Sequence, residues 1–170
     1  EMVNSFFDMD DAFVSQILST FKFTTPIDTS TWKNFSSKYF TLSFKVPQFT
    51  QVVEAQNNIV IAKAPYVTSP NGTAGDNAFM RLIRYANGQT QASTLAQLSG
   101  NNEATISTAT VDGQSFPRVD YTEPVSGVRF FSVFFEKSYL SVTVPAMSAD
   151  PSFNYIDLGD QILSTFKFTK

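Results

Sequence analysis

The sequence predicts an α+β domain, an antiparallel sheet between helical layers, preceded by one extra helix. Three observations carry this. Phe40, Leu42, Phe44 and Val46 alternate with Thr41, Ser43 and Lys45, the period of two that marks a half-buried strand. In Arg129–Lys137, Phe130 and Phe134 fall on one face while Phe131, Val133 and Phe135 fall on the other, so the sheet is covered on both faces. Apolar residues also recur at spacings of three and four, in Phe6, Met9, Phe13, Ile17 and Phe21, and helical patterning returns in Phe153, Ile156, Ile162, Leu163 and Phe166. That is the spacing of amphipathic helices.

Taken in chain order, the first helix opens with Asp8, Asp10 and Asp11, where carboxylates suit the positive end of the helix dipole. Pro26 stops it, and residues 25–30 read as a linker. The strand ending at Pro47 follows. Phe49–Ala55 and Asn58–Ala64 are the arms of a hairpin around Gln56-Asn57, and Ala78–Tyr85 is another strand. Between them Tyr66–Asn77 holds Pro70, Gly72 and Gly75 and is predicted to be a mobile loop. Thr90–Ser99 is a short helix with Leu95 and Leu98 on its apolar side and Gly100 as its stop. Thr105–Val111, Phe116–Thr122, Val128–Glu136 and Tyr139–Val144 read as successive antiparallel strands, with tight turns at Asp112-Gly113 and Lys137-Ser138. Asp150 is placed as the cap of the final helix and Pro151 at its first position.

The same nine residues, Gln-Ile-Leu-Ser-Thr-Phe-Lys-Phe-Thr, occur at Gln16–Thr24 and at Gln161–Thr169, an offset of 145 positions. That offset is the size of one ordinary domain. The expected organisation is a helical tail of an upstream repeat unit at 1–24, a linker at 25–30 and one whole unit at 31–170. The chain begins with Glu rather than Met, so it is read as processed or cut from something longer, with any export signal upstream. Phe13, Ile17, Leu18 and Phe21 form the apolar stripe of the first copy and are the candidate interaction surface. They are expected either to pack on the outside of their own domain or, as the favoured reading, to dock on a neighbouring molecule, a protein partner or a second copy of the chain. Leu158, Ile162, Leu163 and Phe166 stand at the same offsets and are expected to complete the core.

Composition narrows the chemistry. With 18 Phe the chain has ample core material, since each buried Phe contributes roughly 1.5–3 kcal/mol. The net charge is −3 with no basic stripe, so no nucleic-acid partner is expected. The apolar runs are too short for a membrane span. His and Cys are absent. Thiolate chemistry, disulfides, imidazole general bases and the usual zinc sites are therefore excluded. A chain without Cys is read as extracytoplasmic (periplasmic, cell-surface or lipoprotein) and free of disulfides.

The remaining candidate sites read as structural. Asp8, Asp10 and Asp11 lack the Gly that an EF-hand needs at its sixth position, where Phe13 stands. Gly72-Thr-Ala-Gly75 lacks the Lys-Ser/Thr of a phosphate-binding loop. Arg81 and Arg84 lie on opposite faces of one strand and cannot clamp one anion together. One of them is expected to pair with a carboxylate such as Asp120 or Glu123. No Gly-x-Ser-x-Gly elbow is present, and a Ser–Lys dyad is the nucleophilic arrangement the composition leaves open. Asn34-Phe-Ser36 and Asn71-Gly-Thr73 fit the glycosylation triplet. No catalytic residue, cofactor or metal ligand is assigned.

Trp32-Lys33-Asn34-Phe35 followed by Tyr39-Phe-Thr-Leu-Ser-Phe-Lys-Val-Pro47 resembles the opening of the PsbP-like family, a short strand and then an aromatic-rich strand ending in Pro. Val111-Asp-Gly-Gln114, Arg129–Glu136 and Tyr139-Leu-Ser-Val-Thr-Val144 resemble its closing half. The resemblance runs from about Thr31 to Thr169. It implies an α-β-α sandwich with a central antiparallel sheet. It implies also an accessory or binding module rather than an enzyme, of the bacterial exported type. The family includes the photosystem II extrinsic protein and a Ran-binding transport factor. The His by which photosystem members handle metals has no counterpart here, so no metal site carries over.

Two functions are thus expected from the residues and the resemblance. One is a non-catalytic accessory or binding module, one unit of a tandem-repeat exported protein. The other is a small-molecule-binding or hydrolytic domain with a pocket under the 66–77 loop, since long Gly/Pro loops often carry function.

Overall fold

The computed structural model describes residues 28–66, 77–100, 104–122, 127, 129–143 and 154–169. The extra N-terminal helix, the first copy of the nonamer and most of the 66–77 loop lie outside the described residues, as do Val128 and Val144. Among the described residues the elements run β1 (Lys33–Ser36), β2 (Leu42–Val46), β3 (Thr50–Ala55), β4 (Asn58–Lys63), β5 (Ala78–Arg84), α1 (Gln91–Ser99), β6 (Thr105–Val111), β7 (Gln114–Thr122), β8 (Arg129–Phe134), β9 (Ser138–Thr143), α2 (Tyr155–Ser164) and β10 (Lys167–Phe168).

The strands form two sheets where one was expected. Seven pair antiparallel in the order β3-β4-β5-β9-β8-β7-β6, and a smaller sheet has the order β1-β2-β10. Local turn chemistry fixes the hairpins. Gln56-Asn57 connects Ala55 to its partner Asn58, as predicted. Asp112 and Gly113 both have positive φ, 49° and 76°, the backbone of a two-residue hairpin turn whose twist matches that of its strands. The turn between β8 and β9 falls one residue earlier than predicted, at Glu136-Lys137. Ser138 is buried as the first residue of β9, and its carbonyl accepts the Phe135 N–H at 2.9 Å.

Strand parity explains the two apolar faces. Ile59, Ile61, Met80, Leu82, Phe131, Val133, Leu140 and Val142 lie on one face and join Leu42, Phe44, Val46, Leu158, Ile162 and Phe166 in a single cluster. The small sheet and α2 therefore cover that face. On the other, Phe134 and Val119 are also buried. Phe134 and Tyr139 stack at 6.2 Å, and Tyr139 and Tyr85 stack at 5.8 Å. Helix α1 lies against β7 and ties down β8 through a bond from Gln91 Nε2 to the Phe134 carbonyl at 2.8 Å. The covering layer predicted for both faces is thus present, half of it a small sheet rather than a helix.

The helices depart from prediction at their ends. In α1, Thr90 is the N-cap, with Ser93 completing a reciprocal pair of caps. The buried side chain is Thr94, whereas Leu95 and Leu98 are half-buried. Helix α2 is capped by Asn154, whose Oδ1 accepts the Asp157 N–H at 3.1 Å. The expected cap at Asp150 and Pro151 lies outside the described residues, and the helix starts after it. Nor does α2 continue through Phe166. The Thr165 hydroxyl donates to the Ile162 carbonyl at 2.7 Å and accepts the Lys45 N–H at 2.9 Å. The helix ends there, and Lys167 and Phe168 pair with Ser43 and Leu42 of β2. Leu158, Ile162, Leu163 and Phe166 do complete the core, at 6%, 0%, 4% and 1% exposure.

Candidate binding groove

The open end of the small sheet meets the β8–β9 turn across a groove of about 350 Å³. Three aromatic rings floor it, each from a different part of the chain. Phe116 comes from β7, Phe135 from the residue after β8, and Phe168 from β10. Their centroids lie 4.9 Å (Phe116–Phe135), 5.7 Å (Phe116–Phe168) and 5.8 Å (Phe135–Phe168) apart. Two of the pairs are edge-to-face, the arrangement that ring quadrupoles favour over a flat sandwich. The parity of β7 and the two-residue β10 present two of these rings from opposite walls.

The rim is polar and aromatic. Tyr39 is 47% exposed. Arg84 donates to the Tyr39 carbonyl and lies over the Phe40 ring at 4.8 Å, so the guanidinium is held by a hydrogen bond and a cation–π contact together. Glu136 and Lys137 complete the rim at the turn. Glu54 holds the β1–β2 connection in place. It accepts from the Ser37 hydroxyl and from the backbone N–H groups of Lys38, at 3.1 Å, and Tyr39, at 3.3 Å. Behind the groove Tyr85 donates to the Phe135 carbonyl at 2.9 Å. Burial, with a smaller contribution from Tyr139, pushes the Tyr85 hydroxyl up to about 12.

Asp112 anchors β10. It accepts from Lys167 Nζ at 2.8 Å and from the Phe168 N–H at 3.0 Å, and the Lys167 bond leads in holding its carboxyl below the usual range. That contact sets the position of the Phe168 ring on the groove floor.

Arg118, rather than Arg81 or Arg84, is the internal partner of Asp120. It grips Asp120 in a two-pronged pair at 2.7 Å and reaches Asp160 on α2, with its guanidinium 3.8 Å from the Phe131 ring centre. Burial alone would lower its pKa, but the hydrogen bonds to the two carboxylates outweigh this and push it up. The chemistry is structural, a cross-brace from β7 to α2. Arg118 and Asp120 stand two apart on one strand, so their shared face was readable from spacing. Asp160 was not, since 42 positions separate it from Arg118.

Of the candidate sites, Phe13, Ile17, Leu18 and Phe21 lie outside the described residues, as do Asp8, Asp10, Asp11 and Gly72–Gly75. Among the described residues, the groove's lining includes none from the 66–77 loop. Reasoning from the sequence missed it because its walls come from residues 39–42, 84, 114–116, 135–138 and 168. The aromatic density of the last strands was the available signal.

The fold and groove together define a small α+β domain with a preformed, aromatic-floored surface cleft. No protein-family model matches the chain, and no curated protein matches its sequence. Two solved structures are similar to it. One, from Bacteroides thetaiotaomicron VPI-5482, shares 13% identity with a TM-score of 0.44 over 82% of this chain and 49% of that one, so the chain spans about half its length. The other is the solution structure of cyanobacterial PsbP (CyanoP) from Synechocystis sp. PCC 6803, at 10% identity and a TM-score of 0.46, covering 85% of this chain and 96% of that one. The second of these structures carries the name of the family that the sequence resembles. No described helix is long and apolar enough to cross a membrane.

Proposed function

We propose that the protein is a non-catalytic binding module whose groove takes an aromatic or aliphatic side chain from an extended segment of a partner protein. The Phe116–Phe135–Phe168 floor is the observation that carries this. It is an apolar floor to the cleft, framed by Tyr39 and Arg84. Tyr and Arg are the residue types that dominate protein interfaces. A volume of about 350 Å³ is at the small end of the range for binding pockets, about 300–1,000 Å³, and suits one large side chain. The same reading takes the chain as one unit of a tandem array outside the cytoplasm. The nonamer duplication supports the array, and the Cys-free composition suits export.

The test is a titration of isotopically labelled protein with N-acetyl-tryptophan amide, using N-acetyl-alanine amide as control. Saturable shifts are expected on the rings of Phe116, Phe135 and Phe168, with a dissociation constant of about 1 mM, equivalent to about −4 kcal/mol. Tyr39→Ser should weaken binding without loss of fold. Shifts that are absent, equal for both amides or centred elsewhere would rule the groove out.

A further inference from the structure

We propose that the slot holding α2 and β10 is a tail-recognition site whose selectivity is set at Tyr155, Gly159 and Asp160. It takes the tail of its own unit and refuses the near-copy at residues 10–24. This rests on reading the nonamer as a second tail and does not require that the aromatic groove bind a ligand, although Phe168 belongs to both.

The identical nine residues make many of the contacts of the slot. Ile162, Leu163 and Phe166 are buried, and Phe166 stacks on Phe44 at 4.8 Å. Thr165 bonds the β2 backbone at Lys45. Lys167 and the Phe168 N–H share Asp112, and the Thr169 N–H reaches the Thr41 carbonyl at 3.0 Å. Each of these side chains recurs in the first copy as Ile17, Leu18, Phe21, Thr20, Lys22, Phe23 and Thr24. On these contacts alone the slot would accept either tail.

All seven positions 154–160 differ from their counterparts at 9–15, and three of them make close contacts with β5, β9 and β7. A Cβ at Gly159 would stand 2.5 and 2.8 Å from the two γ-methyl carbons of Val142. The first copy has Val14 at this offset. Val142 is fully buried, and a branched side chain in a packed sheet has little freedom to move aside. Asp160 supplies a carboxylate to Arg118, whereas the first copy has Ser15. Tyr155 is buried with its ring 5.4 Å from that of Phe79, and the first copy would place Asp10 there. An uncompensated carboxylate in that position is strongly disfavoured. In an array of units that share the nonamer, these three positions keep each tail with its own slot.

The test uses labelled peptides and the intact chain, with its own tail loosened by Ile162→Ala. The native chain under mild urea serves as a second host in case the variant does not fold. The peptide of residues 154–169 should bind, and the peptide of residues 9–24 should bind about tenfold or more weakly, a discrimination of about 1.4 kcal/mol. The 9–24 peptide carrying Asp10→Tyr, Val14→Gly and Ser15→Asp should recover to within about threefold of the 154–169 peptide, as expected if the three positions carry the discrimination. Val142→Ala in the host should improve binding of the unmodified 9–24 peptide. The proposal is overturned if the 154–169 peptide fails to bind either host, if the two native peptides bind alike, or if the triple substitution brings no gain.

Discussion

Tyr85 places an ionisable hydroxyl in a half-buried position behind the groove. Its O–H donates to the Phe135 carbonyl, and burial raises its pKa from 10.0 to about 12. The folded state therefore holds the proton more tightly than the unfolded chain. The stability this gives is fully present below the unfolded value of 10.0 and is lost as pH rises through about 12. Tyr85→Phe should accordingly flatten the fall in stability between pH 10 and 12, measured as denaturation midpoints against pH. An unchanged alkaline slope would show that Tyr85 ionises equally in both states. Single residues of this kind were poorly legible in the sequence. Asp112-Gly113 was an exception, because a two-residue turn with positive φ dictates its own residue types. Arg118 was missed because its brace depends on Asp160, which only the packing of α2 on the sheet brings near.

Elements were legible where hydrophobic period and turn chemistry agreed. The strands β3 to β9 emerge close to their predicted bounds because each is a short apolar-rich run bounded by turn or loop residues. β10 was not legible, since two residues show no period, and its strand character comes from pairing with β2. For the same reason the second sheet was not foreseen. Helix α2 shows what the pattern does not disclose, namely how close its axis lies to the sheet. Gly159 allows the approach, as an added Cβ would overlap both γ-methyl groups of Val142. In a helix interior Gly→Ala normally gains up to about 1 kcal/mol. Here overpacking, about 1–3 kcal/mol, should win, making Gly159→Ala a net loss of up to about 2 kcal/mol. Adding Val142→Ala, itself destabilising, should remove most of that loss, so urea denaturation of the two single variants and the double variant should give a coupling of about 0.5–3 kcal/mol. Strict additivity would mean that α2 adjusts freely and that Gly159 sets no distance.

For the whole molecule, the class was legible because apolar residues on both faces of Arg129–Lys137 required two covering layers. The groove was not, since its walls meet only after two sheets and α2 have assembled. The described core is drawn entirely from Phe40 to Phe166, and its partly buried aromatic neighbours are Trp32, Phe35, Phe116 and Phe168. The slot into which a tail of the nonamer type fits is filled by the second copy, and its N-cap, backbone pairing and buried apolar side chains all come from residues 154–169. Among the described residues, the contacts that hold this core therefore run from Trp32 to Phe168. Removing residues 1–24 should leave a single cooperative unfolding transition. Its midpoint should lie within about 4 °C of the full chain, the shift that about 1 kcal/mol produces in a domain of this size. Thermal melts followed by circular dichroism decide it. A shift several times larger, or loss of cooperativity, would mean that the first 24 residues contribute to the fold of this unit, and the boundary placed before Thr31 would then be wrong.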